Sequence, residues 1–287
     1  SVDRIIDESF ETDMAMFGPQ PDIKVGLLPP FEEKVLEERG THQIVINSDG
    51  AIAEQLRPEL GASIPRTLRY AIETRKDWER LRDERLEPTN PQRIPFDPNA
   101  LGKQLADADY PIIMPGISLY GWIRNWMGLE RVSIMFHDDP QLIEEMMEHL
   151  TMLYLTVLEK LAGKIKVDMT TWWEDMCYRH GPLISPKLFS QYMVPRYKRI
   201  TEFLRHEFGC EYNQLDSDGN IHKLAPLWLE GGINVMFPLE ARHTDAIRLV
   251  QENDESMIMR GAFDKFAMIE GPQAIDKEFE RLQPLLD

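Results

Sequence analysis

The chain is poor in cysteine, poor in basic residues relative to acidic ones, and without long apolar runs. Its two cysteines, Cys177 and Cys210, form neither a disulfide framework nor a metal-binding spacing. They read as small buried hydrophobes, and a reducing cytoplasm is the expected compartment. No stretch is apolar enough to span a bilayer, and no secretory leader is visible. Against 49 acidic residues stand 32 basic ones, a formal charge of −17 that repels nucleic acid and anionic membranes. There is no internal repeat and no low-complexity run. The first residue is Ser1 rather than methionine, which leaves trimmed termini open. A length of 287 residues suffices for one large core, the scale of a barrel of about 250 residues.

What is present is a recurring unit in the second half. A short strand out of Cys210 ends in Leu215-Asp216-Ser217-Asp218, turns at Gly219 and enters a helix predicted over Asn220 to Leu229. Residues i and i+2 share one face of a strand, so Asp216 and Asp218 are expected to point at one spot. Ile165 to Thr171 reads as another buried strand, ending in Trp172-Trp173-Glu174-Asp175. Ile233 to Phe237 is a third, ending in Pro238-Leu239-Glu240, and Met257 to Met259 a fourth, ending in Arg260-Gly261. Helical patterns lie between them. Pro186 to Phe208 is predicted as one helix with Ser185 as N-cap; Thr244 to Glu252 and Gln273 to Leu286 are others. Strand, turn, helix, strand marks βαβ units around a parallel sheet, and strands ending in acids argue for a barrel with an acidic mouth.

The first 98 residues are less regular. Phe31 to Arg39 reads as a helix, His42 to Asn47 as a strand that continues through Leu56 as a hairpin, and Lys76 to Leu86 as a charged helix. Pro88 to Pro98 is the best candidate linker. Tyr110 to Pro115 reads as a buried strand. The clearest element is the helix from Pro140 to Leu161, capped by Asp139, whose apolar positions form one stripe.

The acids carry the functional expectation. Asp218 has a dull explanation, as an N-cap or the Asp of an Asp-Gly turn. Asp216 has none, because an unpaired carboxylate at the end of an apolar strand is costly. Glu174 and Asp175 are adjacent, so one of the two faces the mouth. Glu240 follows a strand and a proline in the same way. Asp216, Asp218, Glu174 or Asp175, and Glu240 are expected to converge on one cavity. Tyr120, Trp122 and Arg124 lie where a barrel loop lines a pocket; the alternative is a core helix with Arg124 at its rim. Trp172 and Trp173 would shape the pocket, and Arg260 is a second candidate cation. His222, His180 and His243 carry weaker signals.

Several segments resemble the uroporphyrinogen decarboxylase superfamily: Trp172-Trp173-Glu174-Asp175-Met176, Gly181 to Pro186, Asp216 to Asn220, Gly232 to Glu240, Gly121 to Arg124 and Met127 to Glu130. The resemblance covers about Tyr110 to the C-terminus. It implies a single-domain α/β protein, a (β/α)8 TIM-type barrel over residues 1–287, and a homodimer as in the family's decarboxylases. Members include the decarboxylase of haem synthesis and zinc-dependent methyltransferases that serve corrinoid proteins. The methyltransferases carry His-x-Cys-Gly where this chain has Asp216-Ser217-Asp218-Gly219, and a C-terminal cysteine ligand that this chain lacks. The resemblance thus points to Asp216, Asp218 and Glu240 as an oxygen-rich site for zinc or another divalent ion. The decarboxylase's N-terminal arginine motif is also missing, and an acidic mouth repels a polycarboxylate. The leading expectation is a corrinoid-linked methyltransferase acting on a small methylated or methoxylated substrate, with the corrinoid supplied by a partner protein. The alternatives are a porphyrinogen decarboxylase and a non-catalytic binding barrel.

Overall fold

The computed structural model describes residues 21–61, 63–253 and 256–285. These group into two compact units. One is formed by Lys24–Arg93 and Ile117–Val157; the other by 21–23, Ile94–Gly116 and the chain from Leu158 onward. No helix among the described residues is long and apolar enough to cross a membrane.

The unit containing Lys24–Arg93 carries an antiparallel meander of four strands in sequence order: β1 (Lys34–Arg39), β2 (His42–Ile46), β3 (Ile52–Leu56) and β4 (Arg66–Arg69). The helix expected over Phe31 to Arg39 is therefore a strand from Lys34 on. Its Glu and Lys content favours helix locally, but Gly40 takes a φ of +60° and turns the chain back. Val35 then pairs with Val45 and Arg39 with His42. Tertiary pairing overrides a weak helix propensity. The expected β2–β3 hairpin is present, in register His42 to Leu56 and Ile46 to Ile52. Helix α1 (Arg75–Arg85) opens with a reciprocal cap: Thr74 Oγ1 accepts the Asp77 N–H, and the Asp77 carboxylate accepts the Thr74 N–H at 2.9 Å. On the inner side of α1, Trp78 is fully buried and donates its indole N–H to Glu145 at 2.9 Å.

Helix α2 (Pro98–Leu105), capped by Asp97, leads to β5 (Ile113–Pro115). Then follow α3 (Gly121–Met127), α4 (Leu129–Asp138) and α5 (Pro140–Glu159). Asp139 caps α5, its Oδ1 accepting the Leu142 N–H at 3.1 Å. The stripe read from the sequence is the buried one: Leu142, Ile143, Met146, Met147, Leu150, Leu153, Tyr154, Val157, Leu158 and Leu161 are at most 4% exposed. Each such aliphatic side chain contributes about 1.5–3 kcal/mol by leaving water, which accounts for the regularity of this helix.

The remainder is β6 (Met169–Trp173), the small hairpin β7 (Cys177–Tyr178) and β8 (Gly181–Pro182), α6 (Pro186–Tyr192), α7 (Val194–Phe208), β9 (Tyr212–Asp216), α8 (Ala225–Glu230), β10 (Val235–Leu239), α9 (Ala246–Glu252), β11 (Ile258–Gly261), α10 (Phe266–Glu270) and α11 (Pro272–Leu282). The single helix expected over Pro186 to Phe208 is two. Pro195 has no N–H to give the Gln191 carbonyl and its ring crowds that oxygen, so the helix breaks at Met193. Ser185 caps α6 as expected, accepting the Leu188 N–H at 3.2 Å.

Strands β5, β6, β9, β10 and β11 form one parallel sheet in the order β11-β10-β9-β6-β5. Spatial order follows sequence order, as singly wound βαβ units give. The fold is thus α/β, with a parallel sheet in one unit and an N-terminal antiparallel sheet in the other. The eight-stranded closed ring expected from the sequence is reduced, among the described residues, to these five paired strands. Register pairs Trp173 with Asp216, and Asp216 with Phe237. The ends of β6, β9 and β10 therefore lie side by side at one end of the sheet.

Candidate active site

Strand β6 buries Thr170 and Trp172 and leaves Trp173 half-buried. Trp172 is only 1% exposed; its indole N–H donates to Thr170 Oγ1 at 2.8 Å and its ring meets Tyr197 edge-on at 5.4 Å. Thr170 in turn donates to Asn213 Oδ1 at 2.6 Å. Trp172 is thus packed within the core behind the strand ends.

The adjacent acids Glu174 and Asp175 part company here. Both backbone N–H groups donate to the Asp216 carbonyl, at 3.0 and 3.1 Å. Asp175 takes a φ of +42°, a strained value for a non-glycine residue, and the chain twists so that the two side chains diverge. Glu174 is fully buried and accepts the Tyr197 O–H at 2.7 Å. Asp175 instead raises the proton affinity of both Asp216 and Asp218. Ala262, just past β11, is the other non-glycine residue with positive φ, at +65°. Both strained positions follow parallel strands at the same end of the sheet.

Asp218 caps no helix. Helix α8 begins at Ala225, later than the Asn220 expected, and has no side-chain cap. The turn after Asp216 is instead held from two sides. Glu240 Oε2 accepts the Gly219 N–H at 2.8 Å, and Thr244 Oγ1 donates to the Gly219 carbonyl at 2.8 Å. Gly219 has φ +85°, and a Cβ there would sit 2.8 Å from the Cys177 carbonyl oxygen, so no other residue fits without moving β7.

The electrostatics follow from this crowding. Asp216 is half-buried; burial, then the Asp218 and Asp175 carboxylates, push its carboxyl up to about 6. Burial, then Glu240 and Asp175, also raise Asp218, while Lys265 and His243 pull it down. Carboxylates from three neighbouring strand ends therefore crowd Asp216 and Asp218, and both hold their protons more tightly than an isolated aspartate does. A cleft of about 470 Å³ opens beside Asp218 and Glu240, bounded by His243, Phe263, Lys265 and Phe266.

The other candidates are placed as follows. Arg260 donates to Gln214 Oε1 at 3.3 Å and stacks over the Phe237 ring at 4.6 Å. Tyr120, Trp122 and Arg124 belong to the unit formed by Lys24–Arg93 and Ile117–Val157. There Tyr120 is buried, and Trp122 and Arg124 are half-buried, with the Trp122 ring 6.1 Å from Trp126. His222 Nε2 accepts the Asp245 N–H at 3.2 Å. The thiols of Cys177 and Cys210 are buried and pushed up to about 12, so both stay protonated. No three His, Cys, Asp or Glu side chains among the described residues are grouped as a metal ion requires, and one Glu240 oxygen is committed to Gly219.

Two contributors escaped the sequence reading. Tyr197 lies mid-helix with no motif to mark it. Lys265 follows β11, so the positional rule applied to the acids would have found it, and the same rule would have raised His243, after β10, above the weak signal it was given. The Tyr197–Glu174 bond carries a stability prediction. Burial and the neighbouring Glu174 carboxylate hold the Tyr197 phenol far above its ordinary value, so it remains a donor. Tyr197→Phe leaves a buried carboxylate oxygen short of that donor and is expected to cost about 1.5–3 kcal/mol in urea unfolding. A loss below about 0.5 kcal/mol would mean that the phenol is not supporting Glu174.

The profile of the family described as Uroporphyrinogen decarboxylase (URO-D) matches residues 64–283. No curated protein matches the sequence. Among solved structures, a methyltransferase from Methanosarcina mazei aligns with 13% identity and a TM-score of 0.47, over 74% of this chain and 59% of its own. The chain thus spans somewhat under two thirds of that protein's length.

Proposed function

The chain belongs to the uroporphyrinogen decarboxylase family, and on that footing we propose that it transfers a methyl group from a small methoxylated substrate to the corrinoid of a partner protein. We take the five parallel strands as part of a closed (β/α)8 barrel with the acids at its mouth. One observation carries the function: Asp216, half-buried among Asp218 and Asp175, holds a proton up to about pH 6. An ether oxygen is a poor leaving group unless it gains a proton as its bond to carbon breaks. Asp216 is suited to give that proton. The methyl carbon passes to the acceptor, the C–O electron pair stays on oxygen, the Asp216 proton joins it, and a hydroxyl product leaves. General acid help of this kind contributes about 10²–10⁴-fold. Asp218 and Asp175 raise the donor's proton affinity, and Glu240 fixes the turn that presents it. The donor set does not fit a divalent ion, so no step runs through one.

The experiment mixes the chain with cob(I)alamin and a panel of methoxylated aromatics. Loss of the cob(I)alamin absorption with equimolar release of the phenol is expected. No phenol from any member would overturn the reading. Family membership itself favours a second one, decarboxylation of a porphyrinogen. Against it, the cleft's cations are few: Arg242 is paired with Asp264, which leaves Lys265 alone to meet several substrate carboxylates. Coproporphyrinogen formed from uroporphyrinogen would put decarboxylation first.

A further inference from the structure

We propose that the cleft beside Asp218 recognises a single carboxylate on the substrate through Lys265, assisted by His243. This rests on the methyl-transfer reading and narrows its substrate to a small methoxylated aromatic acid. The rim of the cleft mixes acids with nitrogen donors. Asp218, Glu240 and Asp264 face Arg242, Lys265 and His243. Most of these are already committed. Arg242 donates to Asp264 at 2.8 Å and lies 3.7 Å over the Phe266 ring, while Glu240 holds the Gly219 N–H. Lys265 and His243 are different: neither side chain makes a hydrogen bond or an ion pair with any described residue. Both act on Asp218 through space, which places an ammonium and an imidazole next to the acid end.

The segment bearing Lys265 is fixed in advance. The Asp264 N–H donates to Glu278 at 2.7 Å, and Asp264 Oδ1 accepts the Phe266 N–H at 3.0 Å. Arg281 closes the loop by donating to the Ala262 carbonyl and to Glu278, both at 2.6 Å. Ala262 sits at its positive φ inside this network, and Phe263 is braced against Phe279 at 5.5 Å. A lysine whose backbone is held this firmly, yet whose ammonium has no partner among the described residues, is preorganised to meet an incoming anion. Phe263 and the Arg242-backed Phe266 supply an apolar wall for a flat ring. One ammonium and one imidazole suit one carboxylate. A polycarboxylate would bring further anions against Asp218 and Glu240, which repel them.

Calorimetric titration of the full chain tests this without turnover. The probes are para-methoxybenzoate, anisole and para-methoxyphenyl-trimethylammonium. The benzoate is expected to bind at least about tenfold more tightly than anisole. Lys265→Gln should remove about tenfold of that advantage and leave anisole unchanged, and Lys265→Arg should restore most of it. Lys265 is exposed, so the variants are expected to fold. Equal affinity for benzoate and anisole, tighter binding of the ammonium probe, or a Lys265→Gln chain that keeps the full preference would each overturn the assignment. Lys265-dependent benzoate binding without phenol release in the transfer assay would uphold the carboxylate site and overturn methyl transfer instead.

Discussion

Asp216→Asn is expected to lower methyl-transfer turnover by about 10²–10⁴-fold and, at neutral pH, to make the protein more stable by about 1 kcal/mol. The two effects have one origin. Burial and the neighbouring Asp218 and Asp175 carboxylates raise the Asp216 carboxyl from 3.8 to about 6. Between about pH 4 and 6 the folded chain keeps a proton that the unfolded chain has released. Stability attributable to this group therefore falls as pH rises through that window and stays reduced above it. Asparagine carries no charge to desolvate, so the variant should lack this slope. The 1 kcal/mol figure is about a third of what the full shift corresponds to, because Asp216 is only half-buried and solvent screens it. Turnover by the unaltered protein should decline tenfold per pH unit above about 6, as the acid loses its proton, and the variant's residual rate should show no such limb. A variant with turnover within twofold, or with the same limb, would remove Asp216 from proton transfer.

Asp218→Asn separates these contributions further. It deletes one of the charges that raise Asp216 while leaving the carboxyl itself in place, so the activity limb should move to lower pH.

The sequence made the placement of the acids legible because parallel strands announce themselves. Apolar runs ending in Asp216, Glu240 and Glu174-Asp175 put carboxylates at one end of a sheet, and the register of β6, β9 and β10 does bring those ends together. It could not say which of Glu174 and Asp175 faces outward, because that depends on a positive φ at Asp175 that no residue preference marks. Nor did it foresee that Asp218 caps nothing: Glu240 and Thr244 hold the Gly219 turn from the next strand end, and the helix starts only at Ala225, with Pro226 in its first turn. Helix breaks such as the one at Met193 were available from Pro195 and the rule that proline offers no N–H. The β1 strand was not, because its pairing partner lies across a turn and local propensity points the other way. The Pro-rich segment from Pro88 to Pro98 is the most instructive case. A boundary between the two units does fall within it, at Arg93/Ile94. Proline content alone, however, hid the anchor it contains.

That anchor supplies the largest stability effect expected of a single substitution here. Arg93 has no exposed surface, and no carboxylate among the described residues is hydrogen-bonded to its guanidinium. It donates instead to four backbone carbonyls: Glu87 at 2.7 Å, Lys24 at 2.8 Å, Gly26 at 3.0 Å and Arg85 at 3.1 Å. Its own carbonyl accepts the Lys24 N–H at 2.8 Å. Burial lowers the guanidinium to about 10, which still leaves it charged at neutral pH, so every donor is charge-assisted. One side chain thus ties the segment after α1 to the chain at Lys24–Gly26. Arg93→Met keeps most of the volume but orphans these carbonyls together, and is expected to cost about 3–5 kcal/mol in urea unfolding. Arg93→Lys should recover part of this, because an ammonium carries the charge but cannot span four acceptors in a planar fork. Arg85→Ala is the control. Arg85 also contacts this region, bonded to the Pro29 carbonyl at 2.7 Å and stacked 4.0 Å over Phe31, but it is partly exposed, so about 1 kcal/mol is expected. A flexible linker would give the opposite ranking, with Arg93→Met near zero and no worse than Arg85→Ala. That result would mean that the four carbonyls find water as readily as they find Arg93.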